Sequence, residues 1–384
     1  MNVKAIDLVK KFQCLNKECP FNCCHGWKIP VDDETYANFQ AEPGMKGKCI
    51  RMAVTGKDDH FIRKLFGHCP FLTKEKLCSF ELKGRQDLMA LICREYPKEP
   101  VLYSDFEEIT LELSCYEAAR LFIENPGRQH FSDYPEMTPF WIVENDDEKF
   151  LKFLMKDRQK IDDFIWQGGE SLTDMIYDLY FYIYREHSLI VRNRLDELSK
   201  IHINDDNTKI EDAEFIKDDD KFSLVKKPGY AFFPVRTMDR MIINHVNYGN
   251  LSLREPGFYK ILNDYDDLFG KMSISRLDNF FNEEMENMTA ENPWLIYKYR
   301  SYFSYNINQL YLKSYETYFV LRQYLFSVLY LEFLMLFDLA ETKKKKRPLT
   351  KEEQTEILMY TEHGVRHNPA LTDNLFAIIR QEFL

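Results

Sequence analysis

The chain has 384 residues, 45% hydrophobic and 15% aromatic, with only 14 Gly and 15 Pro; this excludes disordered and fibrous classes and leaves room for two domains. Its 51 Lys and Arg against 62 Asp and Glu give a net charge of −11, all of it beyond residue 120, because residues 1–120 hold 18 of each sign. An acidic body of this kind argues against a broad phosphate-binding surface and so against nucleic acid as a partner.

In chain order, VKAIDLVKKF (3–12) reads as a short strand or helix, with no apolar run long enough for a signal-peptide core. A cytoplasmic protein with reduced thiols is therefore expected. Lys28–Val31 reads as extended, and Asp32 or Asp33 can cap a helix through Phe39. Residues 41–60 have the composition of a loop, with Cys49 in it as a spare thiol. Lys74–Lys76 should be the tip of a turn, and 84–93 a helix stopped by Pro97. Val101–Leu113 predicts a hairpin turning at Ser104–Asp105, in which Ile109, Leu111 and Leu113 alternate with Thr110 and Glu112. A helix should follow from Tyr116 to Glu124.

Beyond about residue 136, Phe150, Phe153, Leu154, Ile161, Phe164 and Ile165 recur at helical spacing, as do Ile176, Leu179, Tyr180 and Ile183 after Ser171 and Thr173. Residues 203–221 form an acidic connector, and further helices are expected at 237–247, 275–288, 294–340 (broken once) and 370–383. Thr350 with Glu353 is a capping-box pattern for a helix to about His363. The apolar run 325–337 is too short to span a bilayer and reads as a buried core helix; KKKKR at 343–347 is a solvated loop or, secondarily, a peripheral membrane contact. The expected fold is mainly α: a small, loop-rich α+β cysteine-cluster domain (1–125) followed by a larger all-helical domain (126–384).

The chemistry-bearing residues are cysteines. Cys14, Cys19, Cys23 and Cys24 lie in FQCLNKECPFNCCHGW, followed by Cys69, Cys78, Cys93 and Cys115. Thiolates are soft donors, and four of them suit Zn²⁺ or an iron–sulfur cluster. In extended backbone Cys23 and Cys24 point to opposite sides, so each can serve a different centre, or one can stand behind the other. Spacing alone favours a structural zinc site, since C-x4-C-x3-C-C matches no ferredoxin pattern, and Gly26 stands where a radical-SAM motif would need its third cysteine. His25 and His68 flank cysteines and can ligate, although eight thiols already suffice.

The string FxCxxxxCxxxCCxGW followed by Ile29, Asp32, Thr35 and Tyr36 resembles the bacterial flagellin lysine-N-methylase family, as do CPFLxxxxLC, CREYP, ITLELSCYEAARL, NPWLIYKYR (292–300), the apolar stretch 321–339 and the Val365, Arg366, His367, Asn368 segment. Its cysteine region is also similar to small cysteine-cluster proteins with a CC pair. The resemblance implies an enzyme that methylates flagellin lysines with S-adenosylmethionine (SAM) and carries a [4Fe–4S] cluster on Cys14, Cys19, Cys23, Cys24, Cys69, Cys78, Cys93 and Cys115. It moves the expected metal from zinc to iron. The alternatives are a zinc-stapled interaction module and a metal-handling protein. There is no glycine-rich strand–turn–helix for SAM, and the Gly168–Gly169 pair lies between helices, so the cofactor site, catalytic base and oligomeric state stay unassigned.

Lysine methylation needs the ammonium, of pKa about 10.4 in water, to be desolvated or deprotonated. Aromatic walls with a few carboxylates would serve. Tyr177, Tyr180, Tyr182 and Tyr184 are candidates, although a stripe at that spacing is also plain core. Arg94 and Tyr96, beside Cys93, can donate hydrogen bonds to cluster sulfurs or a ligand carboxylate, or simply be a surface Arg and a packed Tyr. His363, Arg366, His367 and Asn368 gather polar groups at a helix end, where capping explains them equally well.

Overall fold

A computed structural model describes residues 2–21, 23–24, 29–63, 68–167, 171–203 and 256–366. The expectations placed on His25, Gly26, Trp27, Gly168–Gly169, His367, Asn368, the connector from 204 on, and helices 237–247 and 370–383 lie outside these residues. The fold is mainly α, with two small sheets among the described residues.

The chain begins with both of the elements that 3–12 allowed: strand β1 (Asn2–Ile6), then helix α1 (Asp7–Lys11). Short pieces follow. They are β2 (Pro30–Val31), α2 (Asp33–Ala41), α3 (Gly44–Met52), β3 (Val54–Thr55), β4 (His60–Ile62) and α4 (Leu91–Glu95). The loop expected over 41–60 is in large part α3; it starts after Pro43 and buries Ile50, so two glycines in its sequence did not prevent a helix that tertiary packing pays for. The helix expected over 84–93 is instead a 3₁₀ turn (Gln86–Leu88) and α4.

Then come the hairpin strands β5 (Lys98–Tyr103) and β6 (Phe106–Leu111), with Ser104 left-handed at the turn (φ 52°), and α5 (Tyr116–Glu124). Two short strands, β7 (Phe131–Asp133) and β8 (Trp141–Val143), lie beyond residue 125 and complete a five-stranded sheet of order β7-β1-β6-β5-β8. β1 runs parallel to β6 (Ala5 opposite Ile109), and β5 pairs antiparallel to β6 (Pro100 opposite Ile109).

The helical body comprises α6 (Glu148–Gln167), α7 (Leu172–Val191), α8 (Pro256–Phe269), α9 (Ile274–Glu291), α10 (Trp294–Leu310), α11 (Ser314–Thr317), α12 (Val320–Lys345) and α13 (Lys351–Arg366). The expected break falls between α10 and α12, where Tyr318 is left-handed. Thr350 and Glu353 form the capping box: Glu353 N–H donates to Thr350 Oγ1 at 3.2 Å, and Thr350 N–H to Glu353 Oε2 at 2.8 Å. By length and composition α12 is apolar enough to cross a membrane, but 89% of its most apolar window is buried inside the protein, against α7, α8, α10 and α13. The lysines at its end meet acidic partners rather than forming a loop: Lys343 with Glu284, Lys344 with Asp264, and Lys345 with Glu353 at 3.2 Å.

Two hydrophobic cores result. The larger runs from Val3 and Ile109 through α5 and α6 to α10, α12 and α13, so the expected boundary at 125 falls within it. The smaller is built from Ile29, Val31, Phe39, Ile50, Ile62, Phe80 and Leu88, with Cys69 among them. All six residues of β6 are buried: it is the middle strand of the five, and α1, α6 and α10 all reach it. Glu108 on that strand takes both guanidinium arms of Arg158 at 2.6 Å.

Candidate metal centre

The first cysteine block is a short path anchored by aromatic packing. Asn16, left-handed at φ 50°, opens a single 3₁₀ turn (Asn16–Glu18) and donates its N–H to Cys14 Sγ at 3.4 Å. Cys14 and Cys19 therefore bracket one turn. Phe21 then packs on Tyr116 (centroids 5.2 Å apart) and edge-on to Tyr360 (5.4 Å), pinning the segment to α5 and α13. Cys115 is the N-cap of α5. Cys23 lies within electrostatic reach of Cys14, Cys19 and Cys115 there, and Cys19 within reach of Cys14 and Cys115; Cys14 and Cys23 are exposed.

The other four thiols gather on the small core. Cys69 N–H donates to Cys24 O at 3.2 Å. A tight turn, with Thr73 N–H on Leu77 O at 2.8 Å and Leu72 bridged to Cys78, folds Cys78 back toward Cys69 as the spacing predicted. Cys93 sits on α4, held by residues that follow the FxC…GW string. Asp32 caps α2 by accepting Thr35 N–H at 2.9 Å and also takes Leu91 N–H at 2.6 Å; Thr35 Oγ1 reaches Met89 O at 3.2 Å. Cys24, Cys78 and Cys93 pack against the core that contains Cys69. The adjacent pair does not point to opposite sides: the two thiols hydrogen-bond each other in a turn, with Cys14, Cys19 and Cys115 within electrostatic reach of Cys23, and Cys69 and Cys93 within reach of Cys24.

None of the nine cysteines is in a disulfide. Burial pushes the Cys14 and Cys19 thiols up, and a thiolate at Cys23 pushes both further. Cys24 is raised strongly, first by its contact with Cys23 and then by burial. Burial lifts Cys115 to about 12, against the pull of the Ala118 and Glu117 amides at the start of α5. Metal binding to such thiols must displace their protons. The donor set fits a thiolate-bound metal or cluster in its chemistry. Among the described residues, no group of three His, Cys, Asp or Glu already stands at metal-holding distance.

The remaining candidates separate. Cys49 is exposed on α3, apart from both sets. Arg94 donates to Gln86 O at 3.4 Å, and Tyr96 OH shares a 3.0 Å hydrogen bond with Ser114 Oγ, within electrostatic reach of Cys115 and Cys23. His68 is exposed. Of the tyrosine stripe only Tyr182 is core, 1% exposed and donating to Asp157; Tyr177, Tyr180 and Tyr184 are half-buried and pack against the core, with Tyr180 stacked on Tyr184. Arg366 pairs with Glu362 and donates to Asn306 Oδ1 at 2.6 Å.

Sequence reasoning missed a buried polar cluster beside Cys115. Glu99 on β5 accepts from Gln309 Nε2 (2.6 Å), Lys313 Nζ (2.9 Å) and Thr110 Oγ1 (3.3 Å). Glu112 follows β6 on the same side, and burial followed by the charge of Glu99 pushes its carboxyl up to about 8. Strand alternation assigned Thr110 and Glu112 to a polar face, and only the tertiary fold reveals that α10 covers it.

The chain matches no family model, no curated protein and no solved structure.

Proposed function

We propose that the chain is a SAM-dependent protein-lysine N-methyltransferase with a cysteine-bound [4Fe–4S] cluster, and that flagellin is its substrate. One observation supports the metal half: separate segments bring eight unbridged thiols into two neighbouring groups that meet at the hydrogen-bonded Cys23–Cys24 pair. Cys14, Cys19, Cys23 and Cys115 are the set that would hold the cluster, because two of them are exposed and the Glu117 and Ala118 amides at the start of α5 can donate to a Cys115 thiolate once metal has displaced its proton. Bound there, the cluster supplies a redox-active centre open to a small molecule. Cys24, Cys69, Cys78 and Cys93 suit a closed structural site, since they pack on apolar residues.

The methylation half is supported by the resemblance of the FxCxxxxCxxxCCxGW, CPFLxxxxLC and CREYP strings. A second reading, a zinc-stapled interaction module, is favoured by the closed character of the Cys24 set. The two readings part on paired variants purified without oxygen. Cys115→Ser is expected to lose iron and sulfide and, with labelled SAM, methyl transfer to flagellin; Cys93→Ser is expected to loosen the small core. Full methylation by an iron-free Cys115→Ser would end the role of the cluster in catalysis, and zinc alone in the parent protein would favour the interaction module.

A further inference from the structure

Helix α6 carries Lys156, Gln159, Lys160, Asp163 and Gln167 at intervals of three and four residues, so they share one side of it. That side opens onto a cavity of about 410 Å³, closed opposite by His202 and Ile203, with Phe164 in its floor. The volume suits a small molecule rather than a single ion. The carboxylate in its lining is already matched: Asp163 pairs with Arg128 and accepts from Gln159 Nε2 at 3.0 Å. Lys156 is exposed and forms no ion pair among the described residues. In a chain of net charge −11, this cavity is therefore positive.

Lys160 is held in place. Its Nζ donates to Tyr182 OH at 3.0 Å and to Ile201 O at 3.1 Å, and lies 4.1 Å from the Tyr182 ring centroid. An ammonium has three N–H donors; two are fixed by these contacts, and the third is left for the cavity that Lys160 lines. Behind it the hydrogen bonds run inward. Tyr182 and Tyr311 both donate to Asp157, and Tyr311 OH lies 3.5 Å from Glu186 Oε2. Burial, and then the Asp157 charge beside it, push the Glu186 carboxyl well above the ordinary range, so the buried pair carries one negative charge at most. Lys160 balances that charge, which leaves Lys156 over. A buried carboxyl pair stabilises a fold no better than apolar residues would. What this one does is anchor a cation at a cavity wall, and a cation already fixed loses little side-chain freedom when an anion arrives.

We propose that this cavity binds an organic oxyanion, a small molecule whose carboxylate or phosphate sits on Lys160 and Lys156 and whose apolar part lies against Phe164 and Ile203. The site is independent of the methylation reading.

The test is calorimetric titration of the full chain with phenyl phosphate at neutral pH, with benzyl alcohol as the uncharged counterpart. Phenyl phosphate should bind at one site per chain, at least tenfold more tightly than benzyl alcohol. Lys160→Met should weaken it at least tenfold and Lys156→Met at least threefold. Tyr182→Phe should weaken it severalfold, because the ammonium keeps its charge and loses its anchor. Lys152→Met should change nothing: Lys152 is an exposed lysine on the same helix that pairs with Glu148 and lies outside the lining. Lys156 is on the surface, so its variant reads binding even where a variant of the buried network fails to fold. Equal binding of the two probes, unchanged affinity in Lys156→Met, or an equal loss in Lys152→Met would each overturn the proposal, the last by reducing it to diffuse attraction between an anion and surface lysines. Benzoate bound more tightly than phenyl phosphate would assign a carboxylate ligand, and the reverse order a phosphate one; both keep the site.

Discussion

The helical body and the cysteine region are stabilised in different ways. In the body, α12 buries nearly every residue from Val320 to Glu341, and α10 buries most of its length against it. Even its charges are internal: Lys298 and Asp338 are 0% and 1% exposed, with Tyr299 OH at 2.9 Å and Gln354 Oε1 at 2.8 Å completing the group. The cysteine region has a core of ten buried residues, strands of two or three, and helices of nine or fewer. A core that small rarely holds a fold without a staple. The contrast teaches that packing accounts for the body, while the small core leaves room for the metal staple proposed on its thiols.

The sharpest way to break the first half is Lys298→Met, which leaves Asp338 as a buried charge without its cation. Chemical denaturation should show a loss of about 3–5 kcal/mol. Replacing both, Lys298→Met with Asp338→Leu, should recover most of it; an equal loss in the double variant would refute the pairing. The second half is tested by metal removal. Exhaustive chelation should abolish protection from hydrogen exchange in 29–63 and 68–95 and leave α10 and α12 protected. Simultaneous loss in both regions would show that one cooperative unit spans them.

A smaller effect separates the sheet from its surroundings by pH. Glu107 is fully buried on β6 with neither carboxyl oxygen partnered, and burial, with Glu136 adding to it, raises it to about 7. The folded protein thus keeps a proton that the unfolded chain releases near pH 4.5, so stability falls as pH rises from about 4.5 to 7. Glu107→Gln should remove that slope, separating the two stability curves by about 1–3 kcal/mol at pH 7. A parent protein that gains stability over this window relative to the variant would contradict it. Smallest of all, Cys49→Ser should change stability by less than about 0.5 kcal/mol and leave metal content as it was.

Much of this was legible in the sequence where one local signal ruled. The Asp32 cap, the 72–78 turn, the 98–111 hairpin, α5, and the Thr350–Glu353 capping box follow from spacing and turn chemistry alone. The misses share a cause. Pro43-Gly44-Met45-Lys46-Gly47 reads as loop, yet Ile50 and the small core draw it into α3. Thr110 and Glu112 alternate with the apolar positions of the hairpin and read as a polar face, yet α10 covers that face. Burial by distant elements leaves no mark within a strand of six residues. The cysteines were legible as a set, but which segments bring them to the Cys23–Cys24 pair needed Phe21 on α5 and the backbone hydrogen bond from Cys69 to Cys24.

The most direct test of the central claim is iron, sulfide and zinc analysis of protein purified without oxygen, together with its visible spectrum. The account predicts about four iron and four sulfide per chain and a brown, air-sensitive protein. Colourless protein that keeps zinc in air, without sulfide, would contradict it.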